Sequence, residues 1–239
     1  MPKLSVLLPV YNGVDNYPGS MLHDSIYSIL RLDVDLELIV INDGSTDETF
    51  KQLTVIWKDC SIMRVINKPH NTGQASALNV GLEAAAGEYI WQWSVRATAH
   101  KDAVQLVKTL DKYPDVGFVY GQMKSHGNRY FYTHRPPRIF DRQRFIDRYL
   151  CNFYMYRRMT GLQYVAYVQL IDGPKIGICD RDMVMQLMDR GAVGMGLHDT
   201  QCVIYYNGGR HTLHDVRDRQ DEIDAAFRKR WRHMNNGNA

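Results

Sequence analysis

The chain has 239 residues, 45% hydrophobic and 23% charged, which is enough to bury a large core and unlike a disordered protein. Lys and Arg number 29 against 26 Asp and Glu, a formal net charge of +3, so charge implies no nucleic-acid partner. Cys60, Cys151, Cys179 and Cys202 stand apart with no Cys-x-x-Cys pair, which argues against a disulfide framework or a structural zinc.

Leu4 to Leu8 is a short apolar run closed by Pro9, the pattern of a fully buried strand and too short for a signal peptide. No apolar run approaches the ~20 residues that cross a bilayer, so a cytoplasmic protein without a transmembrane segment is expected. A helix is expected from His23 to Leu32, a strand from Leu36 to Ile41, and a helix from Thr46 to Trp57 with Ser45 or Thr46 as its N-cap. Ser61 to Ile66 reads as a strand, Gly73 to Ala86 as a helix stopped by Gly87 at its C′ position, Glu88 to Trp93 as a strand, and Lys101 to Lys112 as a helix. Strand and helix in alternation predict an α/β fold, with a mostly parallel central sheet covered by helices on both faces.

The second half is expected to be an irregular α+β region. Val116 to Lys124 and Arg129 to Thr133 read as a hairpin through Ser125 to Asn128, followed by a basic, proline-containing loop from Arg135 to Phe145. A strand from Lys175 to Cys179, a helix from Asp180 to Arg190 and a short helix from Asp199 to Tyr206 follow. A final amphipathic helix runs from Asp218 to Met234 with Ile223, Phe227 and Trp231 on one side. No repeat or low-complexity linker divides the chain, so one domain spanning 1–239 is expected.

In an open parallel sheet, ligands bind beyond the carboxyl ends of the strands. Those ends are Pro9 to Asn12, Asn42 to Asp47, Asn67 to Gly73 and Ser94 to Arg96. Tyr11 offers an aromatic face to a base, and Asp43 an acceptor for a base edge or ribose hydroxyls. The plainer reading of Asn42-Asp43-Gly44-Ser45 is a turn and helix cap.

Four pieces in order carry a resemblance: Leu7-Leu8-Pro9-Val10-Tyr11-Asn12, Val40 to Asp47, Asn71-Thr72-Gly73 to Leu82, and Ala86-Gly87-Glu88-Tyr89-Ile90. Together they resemble family 2 glycosyltransferases of the GT-A (Rossmann-like) fold. The resemblance implies a nucleotide-sugar donor over the sheet ends, with Pro9, Tyr11, Asp43, Asn71 and Gly73 around the nucleoside. It divides the domain into a nucleotide-binding half (1–115), an acceptor half (116–215) and a C-terminal helical extension (216–239). A carbohydrate or lipid-linked acceptor is implied, with peripheral membrane contact through the basic tail as one reading and ordinary packing as the other.

The chain departs from the family pattern in places. Leu78 stands where many members have Arg before the Asn of the third motif, and Asn42 replaces the first acid of the second. After the fourth strand the family's Asp-x-Asp is replaced by Ser94-Val95-Arg96, and a guanidinium there would repel a hard divalent cation. Mg²⁺ or Mn²⁺ is therefore doubtful. Either Arg96 substitutes for the metal on the diphosphate, or catalysis is lost and the protein is a degenerate nucleotide-binding or partner-binding module.

On the acceptor side, Gly191 to Asp199 matches the family's Gly-rich turn and acid, with His198 in the Glu position and Asp199 as general base of an inverting displacement. The bland alternative for Asp199 is a helix N-cap. His211, His214 and Arg217 are candidates for phosphate contact, with metal ligation by the histidines the less favoured reading. Arg135, Arg138, Arg217 and Arg219 are further cations that could assist Arg96 on the diphosphate, with a solvated surface charge the favoured reading of each. Trp91 and Trp93 read as core, and the tyrosines between Phe153 and Tyr167 as core or an acceptor platform.

Overall fold

The computed structural model describes residues 1–17, 19–127, 131–135, 137–138, 140–142, 145, 153–159, 161, 165–168, 179–207 and 220–232. The N-terminal half alternates as expected: β1 (Leu4–Val10), a one-turn α1 (Gly13–Asn16), α2 (Met21–Leu30), β2 (Leu36–Asp43), α3 (Thr49–Lys58), β3 (Met63–Lys68), α4 (Gln74–Ala84) and β4 (Tyr89–Gln92). A short β5 (Ala97–Ala99), a 3-10 turn and α5 (Val104–Lys112) follow. The second half holds β6 (Val116–Gly127), β7 (Phe131–His134), β8 (Met155–Arg157), α6 (Cys179–Asp189), β9 (Val193–Asn207) and α7 (Gln220–Arg232).

Among the described residues the strands share one sheet in the order β3-β2-β1-β4-β8-β6-β9-β5, with β7 paired to β6. β1, β2, β3 and β4 pair in parallel, whereas β8 enters antiparallel between β4 and β6. The sheet is therefore mixed and differs from a uniform Rossmann-type array. Because β8 reverses direction and β6 reverses it again, β6 and its parallel neighbour β9 run the same way as β1. Their carboxyl ends share one edge.

Both parities of the central strands are apolar because both faces are covered. Val6, Leu8, Leu38, Val40, Trp91 and Trp93 pack with Leu22, Ile26 and Ile29 of α2, Leu53 of α3, and Leu106 and Leu110 of α5. Leu7, Ile39, Ile41 and Ile90 pack on the other face with Leu78 and Leu82 of α4, Met183 and Leu187 of α6, and Phe227 and Trp231 of α7. At ~25 cal/mol per Å² of apolar surface, each such buried side chain contributes roughly 1.5–3 kcal/mol.

Several expectations are corrected. Asp199 to Tyr206 belongs to a strand, not a helix: β9 runs from Val193 to Asn207, with irregular register against β6. The Val203-Ile204-Tyr205-Tyr206 run pairs along β6, as β-branched and aromatic residues favour. Gly194 and Gly196 belong to that strand rather than to a turn. A Cβ on Gly194 would collide with the Phe118 ring, and one on Gly196 with the Pro137 carbonyl, so both glycines permit close approach.

β6 continues through Ser125 to Gly127, pairing His126 with Phe131 of β7. The two strands pair antiparallel as expected of a hairpin, and residues 128–130 lie outside the described residues. Gly87 does not end α4 in a left-handed conformation, since the helix already stops at Ala84. Instead its Cβ would lie 2.5 Å from Ser5 N, and its N–H donates to Ser5 Oγ at 2.8 Å. The N-cap position of α3 is Glu48 rather than Ser45 or Thr46, and the first helical N–H, that of Thr49, donates to Asp47 Oδ1 at 3.0 Å. Lys175 to Ile178 lies outside the described residues, and Cys179 opens α6.

Candidate active site

Met63, Leu38, Val6, Trp91, Met155, Val119 and Met195 stand in one row across the sheet. On the carboxyl side of that row Val10, Asn42 and Asn67 pair in register, and Asp43 pairs with Lys68. The polar loops named from the sequence therefore meet along one edge, because parallel strands of matched register end together.

The three loops there are tied by side chains. Asn12 takes a left-handed φ of 46°, donates its N–H to Ser45 Oγ at 2.9 Å and accepts Thr46 N on Oδ1 at 2.8 Å. Asp47 Oδ2 accepts Val14 N at 3.1 Å and Asp15 N at 3.0 Å. Burial works to raise the Asp47 pKa, but the hydroxyl of Thr49 and these backbone donors outweigh it and hold the carboxyl below its ordinary value. Gly44 sits at a φ of +67°, and a Cβ there would collide with the His70–Asn71 backbone, so only glycine lets the second and third loops touch.

Asp43 is 3% exposed. Its Oδ1 accepts Lys68 Nζ at 2.5 Å and Thr72 N at 3.1 Å, and Oδ2 accepts Gly73 N at 2.9 Å. The carboxylate thus clamps the start of α4 and neutralises a lysine whose side chain is 11% exposed. Lys68 also donates to Thr72 Oγ1 and, at 3.4 Å, to Ser76 Oγ. Sequence reasoning missed Lys68, whose signal was its place at the carboxyl end of an edge strand. Asn71 Oδ1 accepts Gly73 N at 3.0 Å, and Tyr11 is 40% exposed. Leu78 is fully buried in the core.

Beyond β4, the Ser94 carbonyl accepts Ser25 Oγ at 3.1 Å, and Ser94 Oγ accepts Arg96 N at 3.3 Å. Arg96 is 8% exposed, and its guanidinium carbon lies 5.6 Å from the centre of the Tyr205 ring. Its carbonyl accepts Tyr206 N at 2.8 Å, so β9 braces this loop from the side.

Asp199 stands on a bulge. Gly121 pairs with Leu197 and Gln122 with Gln201, leaving His198, Asp199 and Thr200 looped out of the ladder. Such bulges re-aim side chains. Gln122, 8% exposed, holds the bulge by donating Nε2 to the His198 carbonyl at 2.5 Å. Asp199 projects into solvent, 74% exposed, with Arg138 Nη2 3.5 Å from its Oδ2.

Arg138 arrives from a distant segment for identifiable reasons. Tyr120 OH donates to the Pro137 carbonyl at 3.2 Å, Gly196 N donates to the Arg138 carbonyl at 3.1 Å, and Gly196 leaves room for the crossing. Arg135 is exposed. His211, His214, Arg217 and Arg219 lie outside the described residues. Among the described residues no cluster of three or more His, Cys, Asp or Glu side chains converges as metal ligands, and no helix is long and apolar enough to cross a membrane.

At the opposite edge of the sheet, Lys3 bridges Glu88 at 2.6 Å and Asp111 at 2.7 Å, and Tyr89 OH donates to Asp111 at 2.7 Å. Burial, then these carboxylates, raise the Tyr89 phenol to about 12. That network ties strand starts together and lies away from the loops described above.

Fold and edge together define a class: an α/β protein with a candidate ligand site along the carboxyl edge of a mixed sheet. A family model for glycosyl transferase family 2 matches residues 5–170, more than half of the chain, and the protein belongs to that family. An uncharacterized glycosyltransferase of Haemophilus influenzae is 37% identical over 91 residues, 38% of this chain and 34% of that protein. Glycosyltransferase GlyG of Streptococcus pneumoniae is 30% identical over 135 residues, 54% of this chain and 43% of that protein. Chondroitin synthase of Pasteurella multocida is 34% identical over 106 residues, 44% of this chain and 10% of that protein. The chain thus spans less than half the length of these relatives. Among solved structures, S. aureus TarS 1-349 in complex with UDP-GlcNAc superposes with a TM-score of 0.68 at 18% identity, covering 89% of this chain and 60% of that one, a likeness of fold.

Proposed function

We propose that this chain is an inverting glycosyltransferase of GT-A architecture that moves a sugar from a nucleotide-diphosphate donor to an acceptor hydroxyl. The observation that carries the reading is the bulge on β9, which presents an exposed carboxylate, Asp199, from a strand that runs to the same sheet edge as Tyr11, Asp43 and Lys68. In this reading Asp199 takes the proton of the acceptor hydroxyl. The acceptor oxygen then bonds the anomeric carbon while the bond to the diphosphate oxygen breaks, its electron pair leaving with the nucleoside diphosphate. Tyr11 and Pro9 line the nucleoside site with Asn71 and Gly73, and Asp43 holds its floor through Lys68 and the start of α4.

A divalent cation on the diphosphate needs oxygen ligands. At the position where the family pattern places its carboxylates this chain offers the Ser94 hydroxyl, which already accepts Arg96 N, and a guanidinium. These residues do not fit a metal. Arg96 supplies positive charge to the departing diphosphate instead. His211, His214 and Arg217 are further phosphate contacts in this proposal. The acceptor is a carbohydrate or a lipid-linked saccharide. Contact with a membrane would fall to the basic side of α7, because Phe227 and Trp231 are used in the core.

A second reading, a nucleotide-binding protein without turnover, draws on the same burial of Arg96 and is separated by one experiment. Transfer from a panel of nucleotide sugars is measured with EDTA and with Mn²⁺. Turnover insensitive to EDTA is expected, and EDTA-sensitive turnover overturns the role of Arg96. Asp199→Asn is expected to lower kcat by about 10²–10⁴ while nucleoside diphosphate still binds. Wild-type transfer by that variant removes Asp199 as base. Binding of nucleotide with no turnover on any donor favours the second reading.

A further inference from the structure

The approach of Arg138 to Asp199 has no local cause in the sequence, since the two are 61 positions apart. It is built by tertiary contacts. Tyr120 holds the Pro137 carbonyl, Gly196 holds the Arg138 carbonyl, and the missing Cβ of Gly196 lets the segment cross β9 one pleat before the bulge. The result fixes the Arg138 backbone against the strand that carries Asp199 and leaves both side chains in solvent, 77% and 74% exposed.

The pair itself is loose. At 3.5 Å between Nη2 and Oδ2 it lies beyond the 2.7–2.9 Å range of about full charge-assisted hydrogen bonds, and an exposed ion pair of this kind contributes only about 0–1 kcal/mol. A backbone hydrogen-bonded to β9 and displaying a weakly engaged guanidinium beside a carboxylate is poorly explained as a stabilising bridge. It is well suited to a ligand that engages both groups, a hydroxyl at the carboxylate and an anion on the planar fork of guanidinium donors.

We propose that Arg138 is an acceptor-binding residue, and that the acceptor carries an anionic group, a phosphate or a carboxylate, next to the hydroxyl that receives the sugar. This rests on the reading of Asp199 as the acceptor-side base. Arg135, exposed on the same segment, adds positive charge of the same sense. The neutral part of the acceptor gains nothing from Arg138, so its contribution is read in selectivity between charged and neutral acceptors.

The test uses matched probes on the full chain: glycerol 3-phosphate against glycerol, and glucuronate against glucose. Binding is followed by calorimetry in the presence of nucleoside diphosphate, and transfer is followed by product formation. The expected result is that at least one anionic probe binds about tenfold or more tightly than its neutral partner, and the pair that discriminates identifies phosphate or carboxylate. Arg138→Gln is expected to bring that ratio to about one, and Arg138→Lys to restore part of it. Equal binding of charged and neutral probes, or a preference that survives in Arg138→Gln, overturns the proposal. Arg138-dependent binding of the anion without transfer upholds the anion site and counts against the transferase reading, so the two fail separately. Because Arg138 is mostly exposed, its variants are not expected to unfold.

Discussion

Asp43 has a structural duty alongside the nucleoside contact proposed for it. Its carboxylate is almost wholly buried and is bonded by Lys68, Thr72 N and Gly73 N, so it joins β2, β3 and α4 before any nucleotide arrives. Removing one partner of a buried pair leaves an uncompensated charge, which costs about 3–5 kcal/mol. Lys68→Met is therefore expected to lower unfolding free energy by about that amount, and Asp43→Asn combined with Lys68→Met to recover part of it, read by urea denaturation. A Lys68→Met loss that the double variant does not reduce would show that the pair is not the source. The sequence marked Asp43 as polar and central but could not name its partner. Lys68 and Asp43 are neighbours only because β2 and β3 pair in that register.

Among the elements, β9 decides most. Gly194 and Gly196 look like part of a turn when read along the sequence, yet each stands where another segment of the same chain, at Phe118 and Pro137, presses on the strand. Gly196→Ala is expected to push the Pro137–Arg138 segment away, with a drop of about 1–3 kcal/mol in stability from overpacking and a larger rise in KM for an anionic acceptor than for a neutral one. Thermal unfolding and acceptor kinetics check both parts, and equal effects on the two acceptors would detach Gly196 from acceptor selection. The helix expected from Asp199 to Tyr206 was misread for a physical reason. Asp199 is a favourable N-cap type, but the β-branched and aromatic run after it fits a pleated strand buried beside β6, and strand preference depends on such neighbours. β1, β2 and β4 were legible because both of their faces are buried and each reads as an apolar run, whereas the edge strand β3 alternates, with Arg64 and Asn67 exposed.

Over the whole molecule, the C-terminal helix α7 is part of the core rather than an appended tail. Asp182 on α6 is fully buried and accepts Trp231 Nε1 at 2.8 Å, Arg230 Nε at 2.8 Å and Gln186 Nε2 at 2.7 Å. Arg181 pairs with Asp224 at 2.6 Å and lies 4.0 Å from the centre of the Phe227 ring. Asp182→Ala is expected to cost about 3–5 kcal/mol, since it strands the partners of a buried charge, and to expose α7 to limited proteolysis ahead of the rest. Cleavage no faster than in the wild type would show that apolar packing alone holds the helix. The amphipathic pattern of this segment was plain in the sequence. What its apolar side meets was not, because the same stripe fits a protein core or a lipid surface.

The sequence by itself determined the α/β alternation of the first half, the loops at the strand ends and the family to which the chain belongs, since strand, helix and turn preferences are set by residues close along the chain. The tertiary structure decided which side chains meet: Lys68 with Asp43, Gln122 with the β9 bulge, Arg138 with Asp199, and Asp182 with α7. Those pairings depend on strand register and on which backbones can approach each other closely. Both are properties of the packed chain that local periodicity does not encode.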